Sequence, residues 1–87
     1  MTDKWANSFR EKLDKVYVWP SLYVFKFIVP QQRVEEVKDL FPNHTSTEKQ
    51  SENGKYISVT FNMMMPSSDA VINVYQKVEH IEGIIAL

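Results

Sequence analysis

The chain has 87 residues, no cysteine, two glycines and a net charge of −1. That length allows one small domain with one core, and the missing cysteines exclude disulfides, thiolate nucleophiles and cysteine-held zinc or iron–sulfur centres. Two glycines leave no Gly-rich phosphate loop, and the near-zero charge argues against a polyanion-binding surface, because nucleic-acid affinity rests mostly on phosphate neutralisation.

Residues 3–17 read as an amphipathic helix. Trp5, Phe9, Leu13, Val16 and Tyr17 make one apolar stripe, and Lys4, Arg10, Glu11, Lys12, Asp14 and Lys15 occupy the other face. Thr2 or Asp3 is placed to cap its start. So short a helix is marginal alone, so its stripe must pack on something. Trp19-Pro20 ends the pattern, because proline drives the residue before it toward extended backbone.

Ser21 to Val29 is nearly continuous β-branched and aromatic sequence, a predicted central strand. Alternation turns Tyr23, Phe25, Phe27 and Val29 inward and Leu22, Val24, Lys26 and Ile28 outward; Lys26 decides which face is open, since an unpaired ammonium is rarely buried. Pro30 opens a short helix whose stripe is Val34, Val37, Leu40 and Phe41, stopped by Pro42. His44 to Ser51 is polar and suits an edge strand. Asn53-Gly54 predicts a type I′ hairpin turn, with positive φ at both residues. The next strand, Tyr56 to about Met63, turns Ile57, Val59, Phe61 and Met63 inward and Tyr56, Ser58, Thr60 and Asn62 outward. Pro66-Ser67-Ser68 gives a turn and cap for a helix carrying Val71, Ile72, Tyr75, Val78 and Ile81. Gly83 stands as its left-handed terminator, and Ile84 to Leu87 forms a last strand.

The order is helix, then β-α-β-β-α-β. The fold class is therefore α+β, the ferredoxin-like split βαβ plan, with two helices on one face of a four-stranded antiparallel sheet. Right-handed crossovers put the first and third strands in the middle. Residues 1–18 form an amino-terminal helical extension and 19–87 the ferredoxin-like domain.

Two stretches resemble the YbeD family of small bacterial proteins of unknown function. One is Trp19-Pro20-Ser21-Leu22-Tyr23-Val24-Phe25-Lys26; the other is Ser51-Glu52-Asn53-Gly54-Lys55-Tyr56-Ile57-Ser58-Val59-Thr60. The resemblance implies a ferredoxin-like fold, similar to the ACT-type regulatory domains of amino-acid enzymes, and a bacterial cytoplasmic setting. It implies no catalytic residues.

Each candidate function meets a plainer reading. The fold order is also that of the RNA-recognition motif, which stacks bases on outward aromatics of the first and third strands. Tyr56 fits, but Ser58 replaces the second aromatic and the first strand offers no outward ring, which disfavours nucleic acid. ACT-type domains bind small effectors at the junction of first strand and first helix, often at a glycine and a dimer interface. Here that junction is Val29-Pro30-Gln31-Gln32-Arg33, without the glycine; Arg33 is the candidate ligand contact, or else a solvated helix residue.

The outward row Leu22, Val24 and Ile28, beside Lys26 and Tyr56, would be an apolar patch that a small monomer does not usually leave in water. Either the first helix folds across it with Trp5, Phe9 and Leu13, or a partner protein or a second copy of the chain covers it. The simpler expectation is the first, a helix completing a private core.

Enzyme chemistry is not expected. His44 and His80 stand before the edge strand and near the end of the second core helix, and the topology promises no proximity between them; no Gly-x-Ser-x-Gly elbow is present, and Met63-Met64-Met65 reads as a strand end rather than a copper-binding run. No cofactor or metal is implied. No apolar run approaches the roughly 18 residues that span a membrane, and the amino terminus lacks a signal-type stretch. A small regulatory or interaction domain of the cytoplasm is the expectation, with a protein partner, a homodimer or a small effector as its ligand.

Overall fold

A computed structural model describes residues 4–51 and 53–87. The elements are α1 (Lys4–Val16), β1 (Ser21–Pro30), α2 (Val34–Leu40), β2 (Ser46–Gln50), β3 (Tyr56–Met65), α3 (Ser68–Val78) and β4 (Ile85–Ala86), with a 3-10 turn at Gln31–Arg33 before α2. The strands form one antiparallel sheet in the order β2-β3-β1-β4. This is the arrangement expected from the sequence, with the two long apolar strands in the centre.

Alternation along those strands builds the core. Phe25, Phe27 and Val29 of β1 and Ile57, Val59, Phe61, Met63 and Met65 of β3 are buried on one face. Val34, Val37 and Phe41 from α2 and its end, and Val71, Val74 and Val78 from α3, close over them. Met63 and Met65 fill the core, whereas Met64 between them is exposed. Ser67 caps α3, its hydroxyl accepting from the Ala70 amide at 3.2 Å. The caps expected at Thr2 and Asp3 lie outside the described residues.

Four expectations are corrected. The first is where α1 goes. It packs against α3, on the helix side of the sheet: Leu13 joins the buried core, Phe9 sets its ring edge-on to Tyr75 at 5.7 Å, and Arg10 Nε reaches Asp69 Oδ1 at 2.6 Å. The helix therefore does not cross the open sheet face. Leu13 and, in part, Phe9 of the stripe are buried beside α3, where a salt bridge forms as well.

The second is Val16, which is 75% exposed. Trp19-Pro20 turns the chain toward β1 immediately after the helix, and Tyr17, stacked on Trp19 at 5.3 Å, takes the packing position instead. The third is the hairpin. Gly54 has φ +72°, but no described non-glycine residue has positive φ, so Asn53 does not complete a type I′ turn. Ser51 and Tyr56 close a four-residue loop instead: the Ser51 amide donates to the Tyr56 carbonyl at 2.9 Å and the Gly54 amide to the Ser51 carbonyl at 3.0 Å. The Asn53 carboxamide oxygen accepts from the Lys55 amide and the Ser51 hydroxyl, so Asn53 supports the loop through its side chain while Gly54 takes the left-handed backbone.

The fourth is Gly83. Its φ is +82°, yet α3 ends at Val78, five positions earlier, and capped turns carry the chain onward through Ile81 to Ile84. The glycine is required by a close approach. A Cβ there would stand 2.8 Å from Cγ of Pro30.

Candidate functional site

The surface most in need of explanation is the outer face of the sheet. Register places Leu22 beside Met64, Val24 beside Asn62, Lys26 beside Thr60, Ile28 beside Ser58 and Ile85 beside Ile28. Leu22, Val24, Met64 and Ile85 are each more than half exposed, and Tyr56 at the far end of β3 is exposed too. An apolar band thus runs along β1 and onto its neighbours, broken by the Lys26 ammonium and bordered by the hydroxyls of Ser58, Thr60 and Thr47. Among the described residues nothing lies over it.

The sequence-derived surface residues therefore divide. Leu22, Val24, Lys26, Ile28 and Tyr56 share this face. Trp5, Phe9 and Leu13 lie on the opposite side of the sheet: Leu13 is buried, Phe9 half-buried and Trp5 exposed. Met64 and Ile85 belong to the band and were not singled out from sequence. Their alternation with inward residues was the available signal, obscured because one sits in a run of three methionines and the other in the short last strand.

A second surface lies on the helix side. Trp5, Phe9 and Lys12 of α1, Tyr75 and Glu79 at α3, Tyr23 of β1, and Ile84 and Leu87 line a mostly apolar groove of about 760 Å³. The hydroxyls of Tyr23 and Tyr75 meet at 3.3 Å near its floor. Burial pushes the Tyr75 phenol well above its ordinary range, and the bond to Tyr23 adds to the shift.

The β1–α2 junction is the third. Pro30, Gln31 and Gln32 form a hollow of about 510 Å³ with Asn53, Gly54, Lys55 and Tyr56 of the hairpin loop. Arg33, the candidate ligand contact, instead holds Glu36 at 3.4 Å and Glu82 at 3.3 Å. An incoming anion would have to displace two carboxylates from it. On α2, Lys38 bridges Glu48 of β2 at 3.1 Å and Glu35 at 3.7 Å, and the hydrogen bond to Glu48 first, with the field of Glu35, raises the Lys38 pKa.

His44 and His80 are both exposed, and no three His, Asp or Glu side chains of the described residues gather as a metal site. No helix is long and apolar enough to cross a membrane among the described residues.

A family model matches residues 14–87, from the last turn of α1 through β4 to Leu87. The chain belongs to this family, described as Protein of unknown function (DUF493). The match covers the whole sheet, α2, α3 and every residue of the apolar band. No curated protein and no solved structure matches the chain.

Proposed function

We propose that this chain is a small non-catalytic module, of the regulatory or protein-interaction kind, that works by docking a protein partner on the outer face of its sheet. The observation that carries the reading is the band of exposed Leu22, Val24, Met64 and Ile85 with half-buried Ile28, left uncovered although an amphipathic helix of the same chain packs on the other side. Contiguous apolar surface on a small domain marks an interaction site. Lys26 and Thr60 stand between the apolar groups at the two ends of the face, so a partner meets apolar side chains with polar ones among them, the mixture that non-obligate protein interfaces carry. A regulatory role is also what the resemblance to ACT-type regulatory domains implies.

The test compares retention of partner proteins from the source cell by the native chain and by a Val24→Lys, Met64→Lys variant that melts normally. The reading expects the variant to lose the partners, and expects native binding to persist as salt is raised. Equal retention by both would overturn it. Loss of binding with rising salt, together with recovered nucleic acid, would point instead to RNA held beside Tyr56.

A small-molecule sensor acting as a dimer is the second reading, favoured by the hollow at the β1–α2 junction, where Gln31 and Gln32 offer amide donors and acceptors.

A further inference from the structure

Backbone register exposes a feature that side chains alone do not. The Gln31 amide donates to the Lys55 carbonyl at 3.0 Å, continuing the β1–β3 register by one residue. Odd-numbered residues of β1 therefore turn their N–H and C=O toward β3, and even-numbered ones turn theirs away, toward β4. The Leu87 amide, donating to the Lys26 carbonyl at 2.9 Å, is consistent with this. β4 pairs opposite Phe27 and Ile28, and that bond to Lys26 is the last rung. Beyond it β1 runs on to Ser21, and no described strand faces Val24 and Leu22 on that side. Among the described residues, the outward N–H and C=O groups of these two residues have no partner but for a long contact of 3.4 Å from the Ser21 hydroxyl to the Leu22 carbonyl.

This free edge lies beside the groove between α1, α3 and β1. Tyr23, next to both unpaired residues, is one of the groove's walls, and Ala86 and Leu87 at the end of β4 line it too. We propose that the Leu22–Val24 edge and the groove together take an extended apolar peptide segment of a partner protein, added to the sheet in line with β4. Alternating donors and acceptors on β1 match a polypeptide backbone and nothing else of that length. One set of peptide side chains enters the groove against Phe9, Tyr75 and Ile84; the alternate set lies on the outer face beside Leu22 and Val24. Lys12 and Glu79 put one charge of each sign on the groove, so the segment it fits carries no strong charge of its own. A second copy of the chain fits poorly: antiparallel pairing of two β1 edges sets both helix layers on one side, with the two α1 helices over the joint.

The proposal rests on the interaction reading for the existence of a partner, but not on the partner's covering the sheet face. Its test uses the full chain and a phage-displayed library of random nonapeptides, with the selected peptide synthesised unmodified and N-methylated at each amide in turn. Net hydrogen bonds of about 1.4 kcal/mol make about tenfold in affinity. Methylation is therefore expected to weaken binding by about tenfold at alternate peptide positions and little between them. Val24→Pro removes the outward donor while sparing the ladder to β3, as edge prolines do, and is expected to weaken the unmodified peptide similarly; Trp5→Ala is expected to weaken it as well. In the complex the Val24 amide should gain protection from hydrogen exchange. Failure to select any peptide, a methylation scan without alternation, or dimerisation of the chain through this edge would overturn the proposal. So would binding lost on Met64→Lys but not on Trp5→Ala, a result that leaves the sheet-face reading standing. The methylation scan needs no protein variant, so it decides the matter even if Val24→Pro fails to fold.

Discussion

Tyr23 of β1 and Tyr75 of α3 bring their hydroxyls to 3.3 Å, beneath the edge-on ring of Phe9 from α1. Sheet, helix layer and amino-terminal helix thus meet at one pair of phenols. Burial, and then the bond to Tyr23, raise the Tyr75 pKa above its unfolded value. The folded chain consequently holds that proton more tightly than the unfolded chain. The associated stability is complete below pH of about 10 and is lost as the pH rises beyond it. Denaturant midpoints measured from neutral to strongly alkaline pH should fall less steeply for Tyr75→Phe than for the native chain. Parallel curves would show that Tyr75 does not report this burial.

The attachment of α1 is apolar before it is ionic. Leu13 is buried in the core, whereas the Arg10–Asp69 pair is solvent-exposed on the aspartate side. Leu13→Ala should destabilise the chain by about 3 kcal/mol. Arg10→Ala should cost less than about 1 kcal/mol, the range of exposed ion pairs. Equilibrium unfolding of the two variants checks the order; a reversal would mean that α1 does not seat Leu13 as described.

Both glycines have left-handed backbone, but their neighbours differ. A Cβ at Gly54 would come 2.9 Å from the amide nitrogen of the flexible Gln50 side chain, while one at Gly83 would come 2.8 Å from the Pro30 ring. Gly54→Val should cost about 1 kcal/mol or more from backbone strain alone. Gly83→Ala should cost at least about 2 kcal/mol, because the proline ring cannot swing aside as a glutamine can. Melting midpoints of the two variants test this ranking.

These glycines also show what the sequence could and could not disclose. Strand faces were legible, because a buried residue at every second position leaves a pattern that few other structures produce: Phe25, Phe27, Val59 and Phe61 follow from alternation alone. The Ser67 cap and the central position of β1 and β3 follow as simply. Gly83 reads from sequence as a helix terminator because residue type reports left-handed backbone but not the ring packed against it. Asn53-Gly54 matched the commonest hairpin signal, yet the Ser51 hydroxyl and Asn53 carboxamide support a longer loop. The landing place of α1 was hidden for a different reason. Its stripe describes what must be buried, not which layer buries it, and Arg10 and Asp69 lie 59 positions apart. That placement turned Leu22, Val24 and Ile28 from half of a private core into open surface.

The central claim is that this open face is where the protein meets its partner. Its most direct measurement is photo-crosslinking inside the source cell, with a crosslinking amino acid installed at Val24, at Met64 and, as a control, at Lys15 on exposed α1. Discrete adducts with another protein from positions 24 and 64, and none from position 15, are the expected result. An absence of adducts from the sheet face, or the same adducts from all three positions, would contradict the account.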